Sequence, residues 1–237
     1  MNQLPSYSLF PLGDSALLID FGNVIDEDIN NEVLRIFYQL RSVHSPYILD
    51  VVPAYSSLAV YYDVAALHGE GRSAFEMMIV EVSNILSSEQ AIAERKPAFF
   101  EIPVCYSKKF GIDIQELSRR KHVTPEEIIK IHTSKIYRVY MLGFLPGFTY
   151  MGEVDETISI ERKPVPINLF GGAVGIAGRQ TGIYPFESLG GWQIIGRTPI
   201  KVFRKEEQHP VMFYPGDEIK FYSISEYEFA NYQARRS

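Results

Sequence analysis

Cysteine is nearly absent from this 237-residue sequence: Cys105 stands alone, so no disulfide can form within the chain. A cytoplasmic location is the expectation, because chains without disulfides suit reducing compartments. Apolar runs approaching the roughly 18 residues that span a bilayer are also missing. The start, "MNQLPSYSLFPLGDSALLIDFG", shows no basic stretch followed by an apolar one, so no secretory signal is expected. Positive charge is in deficit, with 23 Lys and Arg against 29 Asp and Glu, a net −6. That balance argues against a general nucleic-acid or anionic-membrane binder. The five histidines are scattered without H-x-x-x-H spacing, no C-x-x-C occurs, and no metal site is expected. Phosphate-loop signatures fail as well. There is no G-x-x-x-x-G-K-[ST], and "GGAVGIAG" has neither the G-x-G-x-x-G register nor a helical pattern after it. G-x-S-x-G is missing too. Cys105 lies in an apolar strand pattern, where a thiol reads as core before it reads as a nucleophile.

Glycine, by contrast, is concentrated. Of seventeen glycines, eleven fall between Gly143 and Gly196. Between them stand Phe144, Phe148, Tyr150, Val174, Ile176, Ile183, Tyr184, Trp192 and Ile194, where a flexible linker would carry Ser, Glu or Lys. The region is therefore read as ordered, its glycines letting strands bend and backbones crowd together.

The first hundred residues alternate between the two periodicities. "ALLIDF" (16–21), "ILDVV" (48–52) and "SLAVYY" (57–62) are strand-like runs. Between the first two lies a helix capped by Asp26, with Ile29, Val33, Ile36, Phe37 and Leu40 on one stripe. Phe75, Met78, Ile79, Val82 and Leu86 mark a second helix, and "FFEIPVCY" reads as the next strand. The order from Ala16 to Cys105 is β-α-β-β-α-β, with "YSLFPL" as a candidate strand in front. That is the split βαβ, or ferredoxin-like, arrangement: two helices on one face of a four-stranded sheet. His44 and His68 sit in polar, loop-like stretches and read as surface.

The second half opens with a short helical pattern from Asp113. A clearer one follows in "VTPEEIIKIHTSK", with Thr124 at the N-cap, Pro125 at N1 and Glu127 completing a capping box. Ile128 and His132 share a face of it. "YRVYMLGF" (137–144) reads as a strand, and only short β-type runs come after: "FTYM", "AVGIAG", "TGIYP", "WQIIGRT", "IKVFR" and "DEIKFYSIS". Such spacing predicts a closed or sandwiched β structure. Polar side chains ride on these bent strands: Arg162 and Lys163 before the prolines of "ERKPVP", Arg179, Gln180 and Thr181 after "GIAG", Tyr184, Arg197 and Thr198. Arginine's planar fork suits carboxylate or phosphate, and glycine backbone amides can assist.

At these residues the chain resembles a known family. "IHTSKIYRVYMLGFLPGFTYMG", "GGAVGIAGRQTGIYP" and "LGGWQIIGRTP", with "LGDSALLIDFG", "VPAYSSLAVYYD" and "FEIPVCY" before them, are similar to the B subunit of the prokaryotic ATP-dependent 5-oxoprolinase. KipI, the sporulation-kinase inhibitor of bacilli, and the first-subunit-like part of allophanate hydrolase belong to the same family. The resemblance covers nearly the whole chain. It implies an α+β and mainly β architecture, with a ferredoxin-like domain over 1–96 and a cyclophilin-like β-barrel over 97–237. It also implies an enzyme subunit, inactive alone, that helps open 5-oxo-L-proline to L-glutamate with hydrolysis of ATP and with Mg²⁺. The implied partners are the C-type and A-type subunits of 5-oxoprolinase, the former resembling allophanate hydrolase subunit 2. The alternative is a KipI-like inhibitor that docks on a sensor histidine kinase, by an exposed aromatic surface around Phe144–Tyr150.

Phosphorylating the lactam oxygen turns a resonance-stabilised amide into a species that water can open. This chemistry needs cations for phosphate charge, donors for an oxyanion and a base for water. The expected assignment puts Arg162, Arg179 and Arg197 on phosphate or carboxylate. Amides around Gly172, Gly175 and Gly178, with Gln180, Thr181, Tyr184 and Thr198, orient the substrate, and His132 acts as base. Two departures stand out. The family's Pro-Arg pairs become Glu161-Arg162 and Pro166-Ile167, and Ala173 replaces the serine of a common Gly-Ser-Val.

Overall fold

The computed structural model describes residues 6–67, 71–88 and 95–234, so His68 lies outside the described residues. The chain divides into two compact units, Met1–Lys96 and Pro97–Ser237. Both mix helices and strands.

The first unit runs β1 (Ser8–Pro11), β2 (Ala16–Asp20), α1 (Glu27–Ser42), β3 (Ile48–Pro53), β4 (Ser57–Tyr62) and α2 (Ala74–Ser87). Local chemistry starts both helices. The Asp26 carboxylate accepts from the Ile29 amide at 2.9 Å, and Ser73 and Glu76 form a reciprocal capping box; each cap stabilises by about 1 kcal/mol. The sheet is antiparallel in the order β1-β2-β4-β3. Alternation sends Leu17, Ile19, Leu58, Val60 and Tyr62 to one core with Val33, Ile36 and Leu40 of α1 and Met78, Val82 and Ile85 of α2. Asn30 is fully buried at the foot of α1, and its amide donates to the Ala54 and Tyr55 carbonyls of the β3–β4 turn. His44 is exposed, as its polar surroundings predict.

One sequence expectation fails here. The strand at 99–104 does not complete this sheet; β1 takes that edge instead, beside β2. The reason is partner choice. "FFEIPV" is apolar enough to be buried on either side, and it pairs in parallel with a strand near the carboxy terminus.

The second unit holds β5 (Phe99–Val104), α3 (Ile114–Lys121), α4 (Pro125–Ser134), β6 (Ile136–Leu142), β7 (Thr149–Gly152), β8 (Ile167–Leu169), β9 (Ala173–Ala177), β10 (Gln180–Ile183), β11 (Ser188–Gly190), β12 (Gln193–Arg197), β13 (Glu218–Ser223) and α5 (Glu226–Ala234). Thr124 and Glu127 form the expected capping box on α4, with Pro125 in its first turn. "IKVFR" is no strand; it keeps a single bridge, Phe203 with Val211.

Seven strands make one sheet in the order β12-β9-β10-β7-β6-β13-β5, and β8 and β11 form a separate ribbon. The two edge strands then meet. Cys105, just past β5, and Arg197, the last residue of β12, exchange both backbone hydrogen bonds at 2.8 and 3.0 Å. The sheet curls until its ends touch. Gly196 makes that approach possible, since a Cβ there would stand 2.6 Å from Cγ1 of Val104. The two faces of β9 feed different clusters: Val174 and Ile176 join Ile102, Tyr137, Val139, Ile195 and Phe221, while Ala173 and Ala177 join Phe148, Tyr184 and Trp192. Among the described residues no helix is long and apolar enough to cross a membrane.

Candidate functional site

The side chains expected to gather around one ligand fall into four places. His132 and Thr181 are inside the core, each fully buried. Tyr106 Oη lies 2.8 Å from His132 Nδ1, and Thr181 Oγ1 lies 2.9 Å from Nε2. Thr181 Oγ1 also donates to the Gly175 carbonyl at 3.1 Å. A carbonyl can only accept, so the threonine's one proton is spent there. Its oxygen must then accept from His132 Nε2–H, which leaves Nδ1 to accept from Tyr106. The imidazole is neutral, stacked 4.7 Å from the Phe221 ring, and burial pushes its pKa down to about 3. This corrects the expected base: His132 has both nitrogens committed and no opening to water. Ile128 and His132 do share the buried face of α4.

Arg179 is at the β9–β10 turn, paired with Glu153 at 2.8 Å on the surface. Gly178 begins that turn at φ +58°, with its amide given to the Ile160 carbonyl at 2.7 Å. Gly175 is inside the ladder, opposite Gly182 and Ile194. Gln180 faces Gly152 across the ladder. The expected cradle of amides is therefore not one: these groups build the sheet. Arg162 stands apart from both, exposed beside Gly191, where its charge bears on Tyr150 and Tyr184. Tyr184 is 1% exposed; burial pushes its phenol up to about 12 against a backbone hydrogen bond from Trp192. It is held in the core rather than offered to a substrate. Lys163 is also structural. It pairs with Asp113, whose carboxylate also accepts from the Ile194 amide at 2.6 Å, and donates to the Trp192 carbonyl at 3.0 Å.

The fourth place is a cleft of about 1340 Å³, and Arg197 is its anchor. β9 is the ruler that separates it from Arg179. Arg197 faces Ala173 at one end of that strand, and Gln180 faces Ala177 at the other. At roughly 3.3 Å per residue, the two arginines cannot share one small anion.

The guanidinium of Arg197 is half-buried in a box of three rings. Its Cζ is 4.7 Å from the Phe170 centroid, 5.6 Å from Phe229 and 5.7 Å from Phe110. Its Nε donates to the Gly171 carbonyl at 2.9 Å. Among the described residues no carboxylate lies within ion-pair distance of it. Burial lowers its pKa, yet a guanidinium stays charged at any physiological pH. With Nε committed and the rings flanking it, the cation is oriented but uncompensated, the state in which arginine accepts a bidentate anion.

Gly172 and Thr198 hold this end of the cleft together. The Thr198 amide donates to the Gly172 carbonyl at 2.8 Å, and the Gly172 amide to the Tyr184 carbonyl at 2.7 Å. Gly172 has φ +84°, and a Cβ there would run into the Thr198 carbonyl. Thr198 is buried and accepts from the Ile200 amide at 3.2 Å. Farther along, the lining mixes charges and rings: Lys201, Arg204 and Lys205 with Glu206 and Glu207, and Phe186 with Phe203. The aromatic box and these lysines have no local signal in the sequence; only the arginine did. Among the described residues no group of three metal-ligating side chains occurs.

Comparison with known proteins places this geometry. The family described as "Carboxyltransferase domain, subdomain C and D" matches residues 7–213. The 5-oxoprolinase B subunit of Bacillus subtilis is 39% identical over 232 residues, 96% of this chain and 97% of that protein. The 5-oxoprolinase B subunit of Haemophilus influenzae is 32% identical over 215 residues, 90% of this chain and 96% of that protein. The fold also matches Kluyveromyces lactis urea carboxylase, with a TM-score of 0.75 at 19% identity, over 98% of this chain and 23% of that one. The chain belongs to the carboxyltransferase subdomain C and D family, alongside full-length relatives named as the B subunit of 5-oxoprolinase.

Proposed function

We propose that this chain is one subunit of an ATP-dependent 5-oxoprolinase, opening 5-oxo-L-proline to L-glutamate only when assembled with partners of the C and A types. The observation that carries this reading is a full-length likeness to proteins of that name, joined to an uncompensated arginine at a cleft. The β-β-α-β-β-α order of the first unit supports a ferredoxin-like domain with its outer strand brought to the front. The curled sheet of the second supports the cyclophilin-like barrel.

Within the reaction, Arg197 orients a carboxylate or a phosphate oxygen in the cleft and offsets charge that builds there. The base that activates water comes from a partner, because His132 is walled into the core. Mg²⁺ also falls to a partner or to the nucleotide itself, since the described residues offer it no carboxylate cluster. The chain is thus half of a site, which agrees with its expected inactivity alone.

Co-expression with the neighbouring subunits tests the proposal. Glutamate should appear from 5-oxoproline only when ATP and all subunits are present. In parallel, the purified chain is added to a sensor histidine kinase. Inhibition of autophosphorylation without any glutamate formation would favour the kinase-inhibitor reading, for which Phe144, 63% exposed, supplies a contact.

A further inference from the structure

The sheet of the first unit has helices of that unit on one side only. Leu17, Ile19, Val51, Leu58, Val60 and Tyr62 join the core with α1 and α2, so the residues alternating with them point the other way. Pairing aligns one residue from every strand in a single row across that second face: Phe10 with Leu18, Leu18 with Ala59, and Ala59 with Val52. All four are apolar. Phe10 is 48% exposed and Val52 39%, and Tyr61, one row away, is exposed as well. A solvated sheet face ordinarily carries polar residues at these positions, and a contiguous apolar patch in their place marks an interaction surface.

Charge indicates what covers it. On one side of the apolar row lies Ser8, Asp20 and Ser57, and on the other Ala16, Tyr61 and Asp50. A carboxylate therefore flanks the row on each side, two residues or about 7 Å away. Residues 6–34 and 42–67, which supply all four strands and their turns, contain no lysine or arginine. Among the described residues the ion pair at this face is Arg41 of α1 with Asp50, 4.0 Å apart and with both side chains exposed. A second copy docked here would add acid to acid with no cation to offset it, and an anionic membrane would be repelled. An added strand is disfavoured too. One edge strand, β1, ends in Pro11, while the other, β3, has a bulge at Leu49 and ends in Pro53. The occupant must lie across the face rather than along an edge.

We infer that this face docks a partner protein through a basic amphipathic helix. Its apolar stripe lies along Phe10, Leu18, Ala59 and Val52, and its lysines or arginines reach Asp20 on one flank and Asp50 on the other. Four strands at roughly 4.8 Å spacing span about 14 Å, the length of two to three helical turns. The inference is independent of the 5-oxoprolinase reading, since it uses no residue of the cleft.

The test is fluorescence anisotropy of a dye-labelled amphipathic peptide of Leu and Lys, about four turns long, titrated with the purified full chain. A matched peptide of Leu and Glu is the control. The Leu/Lys peptide should bind saturably and the Leu/Glu peptide should not. The double variant Phe10→Ser/Val52→Ser should weaken binding about tenfold or more. Asp20→Asn/Asp50→Asn should do the same and remove most of the salt dependence; asparagine keeps the acceptor oxygen that Gly22 and Val51 amides use. Circular-dichroism melting curves unchanged from wild type show that each variant folds, as substitutions on a solvated face should allow. Absence of Leu/Lys binding at millimolar chain overturns the inference. So does equal affinity in wild type and Phe10→Ser/Val52→Ser, which would put the peptide on some other acidic surface. A wild-type dimer that the same double variant dissolves would make a second copy the occupant, and overturns it as well.

Discussion

Acid is expected to weaken the second unit through His132. The imidazole titrates at about 3 in the fold against an ordinary 6.5, because burial penalises its charged form. The folded value is depressed, so the histidine's contribution is complete above pH 6.5 and is lost as pH falls from there toward about 3. In that window the unfolded chain takes up a proton that the native chain refuses, and stability falls by about 1.36 kcal/mol per pH unit. At pH 5 the loss is about 2 kcal/mol. The informative perturbation is His132→Gln, whose amide can accept from Tyr106 and donate to Thr181 without titrating. Denaturant unfolding followed by Trp192 emission reads this unit, since Trp192 is the one tryptophan in the chain. Between pH 8 and pH 5 the wild type should lose about 2 kcal/mol more than the variant. Carboxylates titrate alike in both and cancel in the difference. Parallel pH curves would refute the buried, neutral imidazole.

The remaining expectations concern neighbouring parts of the same unit. Arg197→Ala should cut ATP-dependent lactam hydrolysis by the assembled complex about a hundredfold or more, the scale of one lost transition-state donor; an unchanged rate removes Arg197 from the chemistry. Asp113→Ala strands Lys163 and the Ile194 amide, and should cost roughly 3 kcal/mol in urea unfolding; a loss under about 1 kcal/mol would show the pair is solvated. Arg179→Ala breaks only a surface pair, and should change stability by no more than about 0.5 kcal/mol and leave hydrolysis intact; a large rate loss would return Arg179 to the site.

What the sequence discloses is what short segments decide for themselves. Thr124, Pro125 and Glu127 specify the start of α4 within one turn, and Asp26 does the same for α1, so both were legible. Partner choice is another matter. Phe99–Val104 reads as a strand in any context, but which sheet receives it depends on β13, far along the chain. The expected convergence of the arginines on one ligand failed for a related reason. Arg162, Arg179 and Arg197 all belong to the glycine-rich second half, and only the register against β9 shows that Arg197 and Arg179 leave it at opposite ends. The rings that make Arg197 distinctive come from three separate segments, a loop before α3, the approach to β9 and α5. None is conspicuous alone. His132 was legible as a shared helical face with Ile128, and that same pattern is what buries it.

Arg197 closes the curled sheet with its main chain and presents its guanidinium to the cleft with its side chain. A hook riveted to the clasp of a bracelet cannot drift relative to the band. Under the proposed role of Arg197, a ligand held by that guanidinium would be anchored to the residue that makes the two hydrogen bonds to Cys105, so occupancy of the cleft and integrity of the seam would be linked.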